Sequence, residues 1–231
     1  MMHTAEGWKK VNTIRTIIIR IGKDNMRKGY FITFEGGDGA GKSTQINRLM
    51  EHLEKCGFDV ILTREPGGTD IGEKIRNIIL DPENKEMDAV TEAMLYAASR
   101  AQHVAQIIKP AIEEGKIVIC DRFIDSSIAY QGFGRGLGDS VSIINSYAVG
   151  EYMPDKTVLL KLKPQLGNKR ISTREKDRIE LEAESFHQAV FEGYEALEKM
   201  YPDRIIGVDA TGTIDEIHDI IRNHIDDLLG I

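Results

Sequence analysis

The chain has 231 residues, 41% of them hydrophobic and 29% charged, with a formal net charge of −7. That length supports one sizeable core and does not call for two. The acidic balance argues against a surface built to coat nucleic acid, and no nucleic-acid partner is expected; a local cluster of Arg and Lys can still serve a small anion.

Residues 1–28 hold seven Lys or Arg against two acidic residues, with TIII as their apolar patch. The patch is too short for a membrane span and too interrupted by Arg for a signal-peptide core, so no membrane partner is expected. The stretch is read as an N-terminal extension, disordered or not native to the protein, with Met26 as the natural initiator. A transit peptide and an extra helix packed on the rest are the alternatives. Residues 29–231 are expected to form one domain.

From Tyr30 the pattern alternates. YFITF is aromatic and β-branched, as a strand requires. A Gly-rich turn follows, then QINRLMEHLEKCG, whose apolar spacing predicts a helix ending at Gly57. DVILT is a second strand and TDIGEKIRNIIL a helix. A longer helix is predicted over VTEAMLYAASRAQHVAQIIKPAIEEG, with Pro110 as its kink. KIVIC, KTVLLKL and RIIGVDA supply three more strands. Short apolar strands between helices predict an α/β fold, a mostly parallel sheet covered on both faces. Cys120, closing KIVIC, is expected to be a buried thiol, and Cys56 lies near a helix end. Two such cysteines fit a reducing cytosol, and a cytoplasmic location is expected.

The strongest local signal is GGDGAGKS at 36–43, followed by Thr44. It matches G-x-x-x-x-G-K-[ST] between a strand and a helix, which is the context a phosphate loop needs. Glycines let successive N–H groups turn inward around an anion, and the new helix adds its positive end. Gly36, Gly37, Asp38, Gly39, Ala40, Gly41, Lys42, Ser43 and Thr44 are thus candidate ATP contacts. Lys42 would reach the β and γ phosphates, and the Ser43 hydroxyl would bind Mg²⁺.

Four further clusters bear on the acceptor. TREPGGT at 63–69 places an Arg and a Glu in a rigid turn at a strand's carboxyl end, where ligands bind in open α/β sheets. In LYAASRAQHV, Tyr96 and Arg100 share a helix face; alone, that pair reads more readily as packing beside a surface charge. CDRFIDSSIAYQGFGRGL puts Asp121 where an acidic residue holds Mg²⁺ through water, and Arg122 where a guanidinium grips a phosphate. An ordinary strand-end ion pair is the alternative there. KRISTREKDRIE at 169–180 is basic, which by itself describes a solvated face. A basic lid closing on a moving phosphate is the functional alternative.

FEGGDGAGKST, TREPGGT, LYAASRAQHV and DRFIDSSIAYQG, in this order and at these separations, resemble bacterial-type thymidylate kinases from about Lys28 onward. The resemblance implies a three-layer phosphate-loop kinase fold, a five-stranded parallel sheet with helices on both faces and a short basic lid at about 169–178. It implies phosphoryl transfer from ATP, with Mg²⁺, to dTMP, in a homodimer. Asp38 resembles the family's carboxylate near the acceptor phosphate and sugar. Arg64, Arg76 and Arg122 resemble residues that hold the dTMP phosphate, with Glu65 orienting them or metal-bound water. Tyr96 stands where the family has Phe against thymine, and Arg100, Ser127 and Gln131 match readers of the base edge. Arg170 resembles a lid-flank Arg near adenine and Arg174 the lid Arg that approaches the phosphates. Lys42, Asp38, Arg122 and Arg174 are the expected catalytic set. Gly39 departs from the branch with an Arg in the loop, and Lys161 from the Asp common at its place. A kinase for another nucleoside monophosphate and a non-catalytic nucleotide-binding module are the rival readings.

Overall fold

The computed structural model describes residues 29–170 and 177–231; the readings on residues 1–28 and on Arg174 lie outside them. Five strands, β1 (Tyr30–Glu35), β2 (Val60–Arg64), β3 (Ile117–Asp121), β4 (Lys156–Lys161) and β5 (Ile205–Asp209), form one sheet in the order β2-β3-β1-β4-β5. Every pairing is parallel, as the alternation of strands and helices predicts. Register fixes the site: Phe34 of β1 and Arg64 of β2 both lie abreast of Asp121 of β3. Three loops therefore leave the sheet side by side at its carboxyl edge, where open α/β sheets bind ligands.

Each face of the sheet has its own core. Ile32, Phe34, Ile117 and Ile119 pack against α1 (Lys42–Lys55) and α9 (Ile214–Leu229), through Ile46, Leu49, Ile221 and Ile225. Phe31, Val118 and Cys120 point the other way, as the two-residue strand period requires. They meet Val104 and Ile108, which follow α3 (Ala89–His103), together with α4 (Lys109–Glu113), α6 (Ser140–Val149) and α8 (Glu184–Met200). Caps fix the helix starts. Thr69 accepts from Gly72 N ahead of α2 (Asp70–Leu80), Asp88 caps α3, and Thr213 with Glu216 forms a capping box on α9.

The long helix expected over residues 90–115 is interrupted. Between α3 and α4 the chain widens into a π-turn at Val104–Ile108. Pro110 has no N–H to offer and its ring crowds the carbonyl four residues back, so the turn before it opens. A short helix, α5 (Ile124–Ser127), runs into a second π-turn at Ile128–Gly134. One more helix, α7 (Pro164–Arg170), lies over the phosphate loop so closely that a Cβ on Gly39 would stand 2.5 Å from the Gly167 carbonyl. With φ at 75° as well, position 39 has no room for a larger residue in this arrangement.

The second core carries a polar seam. Asp125, 1% exposed, takes two charge-assisted bonds from Arg204, at 2.6 and 2.7 Å, and one from Thr157 Oγ1 at 3.2 Å. Replacing Arg204 by Met is expected to leave Asp125 as an uncompensated buried charge, costing about 3–5 kcal/mol of stability in urea unfolding. Adding Asp125→Asn should recover much of that loss; a single substitution without cost would mean the pair contributes nothing.

Candidate active site

The phosphate loop joins β1 to α1, with Gly39 and Gly41 at φ 75° and 94°. Gly41 caps α1 without any side-chain bond, which leaves the first-turn N–H groups directed at an incoming anion. Lys42 is 8% exposed, and its Nζ donates to the carbonyls of Gly36 and Gly37 at 3.2 and 3.3 Å. Burial first, and the Arg122 guanidinium second, push its ammonium down to about 8. Ser43 and Thr44 are exposed in the first turn and line the same cleft.

Arg122 sits at φ 68°, a left-handed backbone that a residue other than glycine seldom adopts. Its N–H bonds the Phe34 carbonyl at 2.9 Å, pinning it across the sheet edge. Its guanidinium donates to Asp38 Oδ1 at 2.8 Å, to the Gly36 carbonyl at 3.0 Å, and to Ser126 Oγ and Tyr194 Oη at 3.3 Å. Glu35 stands behind it. Its carboxylate accepts from the N–H groups of Phe123 and Ser126 and from the hydroxyls of Ser126 and Tyr194. Burial, and then the neighbouring Asp125, raise Glu35 to about 7. The Oδ1 atom of Asp121, lining the cleft, is buried without a hydrogen-bond partner among the described residues.

At the end of β2, the Glu65–Pro66 peptide is cis and the Pro66 carbonyl accepts from both Arg64, at 2.7 Å, and Arg76, at 3.0 Å. Glu73 holds the other end of Arg64 at 2.8 Å and also takes the Gly68 N–H. Glu65 is expected to orient Arg64, Arg76 and Arg122 or metal-bound water, and its observed bonds go to none of those three arginines. Its two oxygens belong to α3, one accepting from Arg100 Nε at 2.7 Å and the other facing His103 Nδ1 at 2.8 Å. Glu65 is itself buried and also lines the cleft, so these two neighbours hold its carboxylate in place.

Arg100 is 1% exposed. Besides Glu65 it donates to Ser127 Oγ at 2.9 Å, to the Phe123 carbonyl at 2.8 Å and to Asn145 Oδ1. Ser127 and Gln131 are buried with it, and Tyr96 is half-buried in the same wall. The Tyr96 phenol is pushed up by burial and then by Glu92, so it stays neutral across the biological pH range. Together these groups line a cleft of about 540 Å³ with Asp38, Gly39, Gly41, Lys42, Arg64, Arg76, Arg122 and Arg170.

Arg170 closes one side, donating to the carbonyls of Gly39 and Ala210 at 3.2 and 3.4 Å. The basic stretch expected at 169–178 ends on a fixed post rather than a solvated face. Arg178 is 7% exposed, bonding the Ile79 carbonyl and Glu92 at 2.7 Å each. Sequence reasoning passed over Glu35, Ser126, Tyr194, Glu92, Arg135 and Asn145. Glu35, Ser126 and Arg135 lie within the motifs quoted above but carry no expected role there; each of the six acts through a partner far away in the chain.

A family model described as thymidylate kinase matches residues 34–221. A thymidylate kinase of Lactobacillus delbrueckii subsp. bulgaricus is 51% identical over 195 residues, 82% of this chain and 92% of that protein. One from Clostridium novyi is 50% identical over 201 residues, 85% of this chain and 98% of its own length. Among solved structures, the thymidylate kinase of Ehrlichia chaffeensis superposes with a TM-score of 0.70 at 33% identity, covering 85% of this chain and 98% of its own.

The lowered Lys42 ammonium has a signed consequence. Below about pH 8 the empty protein carries that buried charge at a cost, and the cost lifts as pH rises toward 10.5. A triphosphate restores the charge, so ATP binding is expected to take up protons near about pH 8.5 and to weaken above it. Calorimetry in buffers of different ionisation enthalpy measures this uptake. Lys42→Met should abolish it, and uptake that survives the substitution belongs to another group.

Proposed function

The chain belongs to the thymidylate kinase family, and we infer that it transfers the γ-phosphoryl group of ATP to dTMP, giving ADP and dTDP. One observation supports the reading most directly: the cleft that contains the phosphate loop also contains a second set of guanidiniums and a polar wall of buried Arg100, Ser127 and Gln131 with half-buried Tyr96. A triphosphate needs the first and a nucleoside monophosphate the second.

The chemistry asks for positioning rather than a general base. A phosphate oxygen of dTMP, already anionic, attacks the γ-phosphorus, and the bond to the β–γ bridging oxygen breaks with its electron pair leaving on ADP. Charge spreads over the moving phosphoryl oxygens, so fixed cations carry the acceleration. Lys42 serves the β and γ oxygens. Arg122, held by Asp38, Gly36, Ser126 and Tyr194, faces the transferring group without reorganising. Arg64 and Arg76, gathered by Pro66, take the acceptor phosphate. Arg170 flanks the nucleotide, and the resemblance gives Arg174 the catalytic place on the lid.

The residues fit Mg²⁺. A hydroxyl at position 43 and an unpartnered carboxylate oxygen on Asp121 match the one or two protein ligands, some through water, that Mg²⁺ takes beside phosphates. When bound, the ion neutralises the β and γ oxygens; Ser43 would hold it directly and Asp121 through water.

We further read residues 29–231 as one domain, because both cores share one sheet. Among the described residues no helix is long and apolar enough to cross a membrane, and the ATP substrate and free thiols favour a cytoplasmic setting. A homodimer is proposed on the outer face of α2, α3 and α6, which pack on one another. They expose Ile71, Ile78, Val90, Met94, Ile143 and, at 84%, Tyr147, a run of apolar side chains that calls for a partner.

Coupled ADP release with dTMP, dUMP, dCMP, dGMP and AMP offered separately is expected to show turnover with dTMP and dUMP far behind. Preference for another acceptor would keep the phosphate chemistry and overturn the base assignment; ATP binding without transfer would leave a binding module. Light scattering on the purified protein should give twice the 25.9 kDa chain mass, and Met94→Glu should halve it. A wild-type monomer would remove the proposed interface.

A further inference from the structure

Gln131 is 1% exposed, and the two ends of its amide meet different surroundings. Nε2 donates to Glu92 Oε1 at 2.9 Å, while Oε1 is buried with no hydrogen-bond partner among the described residues, in a side chain that lines the cleft. Glu92 is 0% exposed and lies one helical turn before Tyr96 on α3. It accepts three more bonds, from Arg135 Nε at 3.2 Å, Arg135 Nη2 at 2.9 Å and Arg178 Nη2 at 2.7 Å. Burial alone would raise its carboxyl; these donors outweigh burial and hold it below the ordinary carboxylate range. Arg135 is fixed in turn by Glu182 at 2.6 Å.

An ionised carboxylate can only accept. Only the NH₂ end of Gln131 can therefore face Glu92, because the reversed amide would press two acceptor oxygens together out of water. The choice of end is consequential for a ligand: Gln131 offers the cleft an acceptor, not a donor. Arg100 lines the same cleft, and four of its five N–H groups are in use, on Glu65, Ser127, Asn145 and Phe123. One donor remains.

We propose that Glu92 is a specificity-determining positioning residue. It locks the Gln131 amide oxygen toward the base, and so favours pyrimidine rings with an N–H donor over rings whose nitrogen is a bare lone pair. Thymine and uracil present N3–H beside the O4 carbonyl, which complements an acceptor next to a donor. Cytosine presents a bare N3 beside an amino group, which mismatches both. Two guanidiniums keep Glu92 ionised, and an acceptor-only group is what makes the lock one-way. The inference rests on the nucleoside-monophosphate kinase reading.

The test compares kcat/KM for dTMP and for dCMP in the wild type, Glu92→Gln, Gln131→Met and the double variant. A neutral amide at position 92 can face Gln131 with either end, so the lock is released. The dTMP:dCMP ratio is expected to fall by about tenfold or more in Glu92→Gln, chiefly through a higher KM for dTMP. On the Gln131→Met background the same change should lower the ratio no further, because Glu92 acts through that amide. A ratio unchanged in folded Glu92→Gln, or full additivity in the double variant, overturns the proposal and leaves Glu92 as an anchor for Arg135 and Arg178. If Glu92→Gln does not fold, Glu92→Asp keeps the charge for both arginines while withdrawing the carboxylate from Gln131; the same ratio, falling or unchanged, then decides. The wild type separates the two possible failures: preference for dTMP with an insensitive ratio sinks only the role of Glu92, whereas a wild type that ignores dTMP sinks the functional reading with it.

Discussion

Cations gathered for anionic ligands repel one another while the ligands are away, and much of this fold is arranged around that repulsion. Lys42 and Arg122 stand close enough for the guanidinium to depress the lysine ammonium. Arg64 and Arg76 meet at one carbonyl. The response is a set of carboxylates with few degrees of freedom: Asp38 on Arg122, Glu73 on Arg64, Glu65 on Arg100, Glu92 on Arg135 and Arg178. Fixing the charges before the ligand arrives matters more than the modest net energy of each pair, since preorganised dipoles and charges need not be turned at the moment of reaction.

The backbone shares in that work. The left-handed turn at Arg122 is held by a bond to the Phe34 carbonyl and by the donors that Glu35 collects from Phe123, Ser126 and Tyr194. Glu35 occupies a strand position where two-residue alternation calls for an apolar side chain, on the same side as Phe31 and Thr33. It is an acidic residue kept in a core to shape a neighbour, and its raised proton affinity is the cost of that position.

What could be read from the chain follows from the range of the interactions. The five strands, the phosphate loop and TREPGGT are local patterns, in which period, glycine spacing and a strand-to-helix switch lie within a dozen residues. They fixed the sheet and the order of the loops, and register then brought Phe34, Arg64 and Asp121 abreast. The partners of the site's charges were not legible, because Glu65 reaches Arg100 and His103 across 35 and 38 positions and Glu92 reaches Arg178 across 86. Glu65 is accordingly expected beside other arginines or metal-bound water, and Arg178, expected at the end of a basic lid, is buried against Glu92 and the Ile79 carbonyl. The π-turn before Pro110 was half legible, since the proline announces a disturbed helix but not whether it kinks or widens.

Saturation gives these buried groups a further property. Glu92 accepts four bonds, and Arg100 spends four donors on partners from three separate segments. A side chain so fully engaged cannot adapt to a different base by turning, because each alternative rotamer leaves several buried polar groups unpaired at once. Flexible recognition would need free donors or bridging water. Here the buried unpaired side-chain atoms of the cleft lining, among the described residues, are both acceptors, Gln131 Oε1 and Asp121 Oδ1. Discrimination is then set less by the groups that touch a ligand than by the carboxylates behind them, which decide what those groups have left to offer.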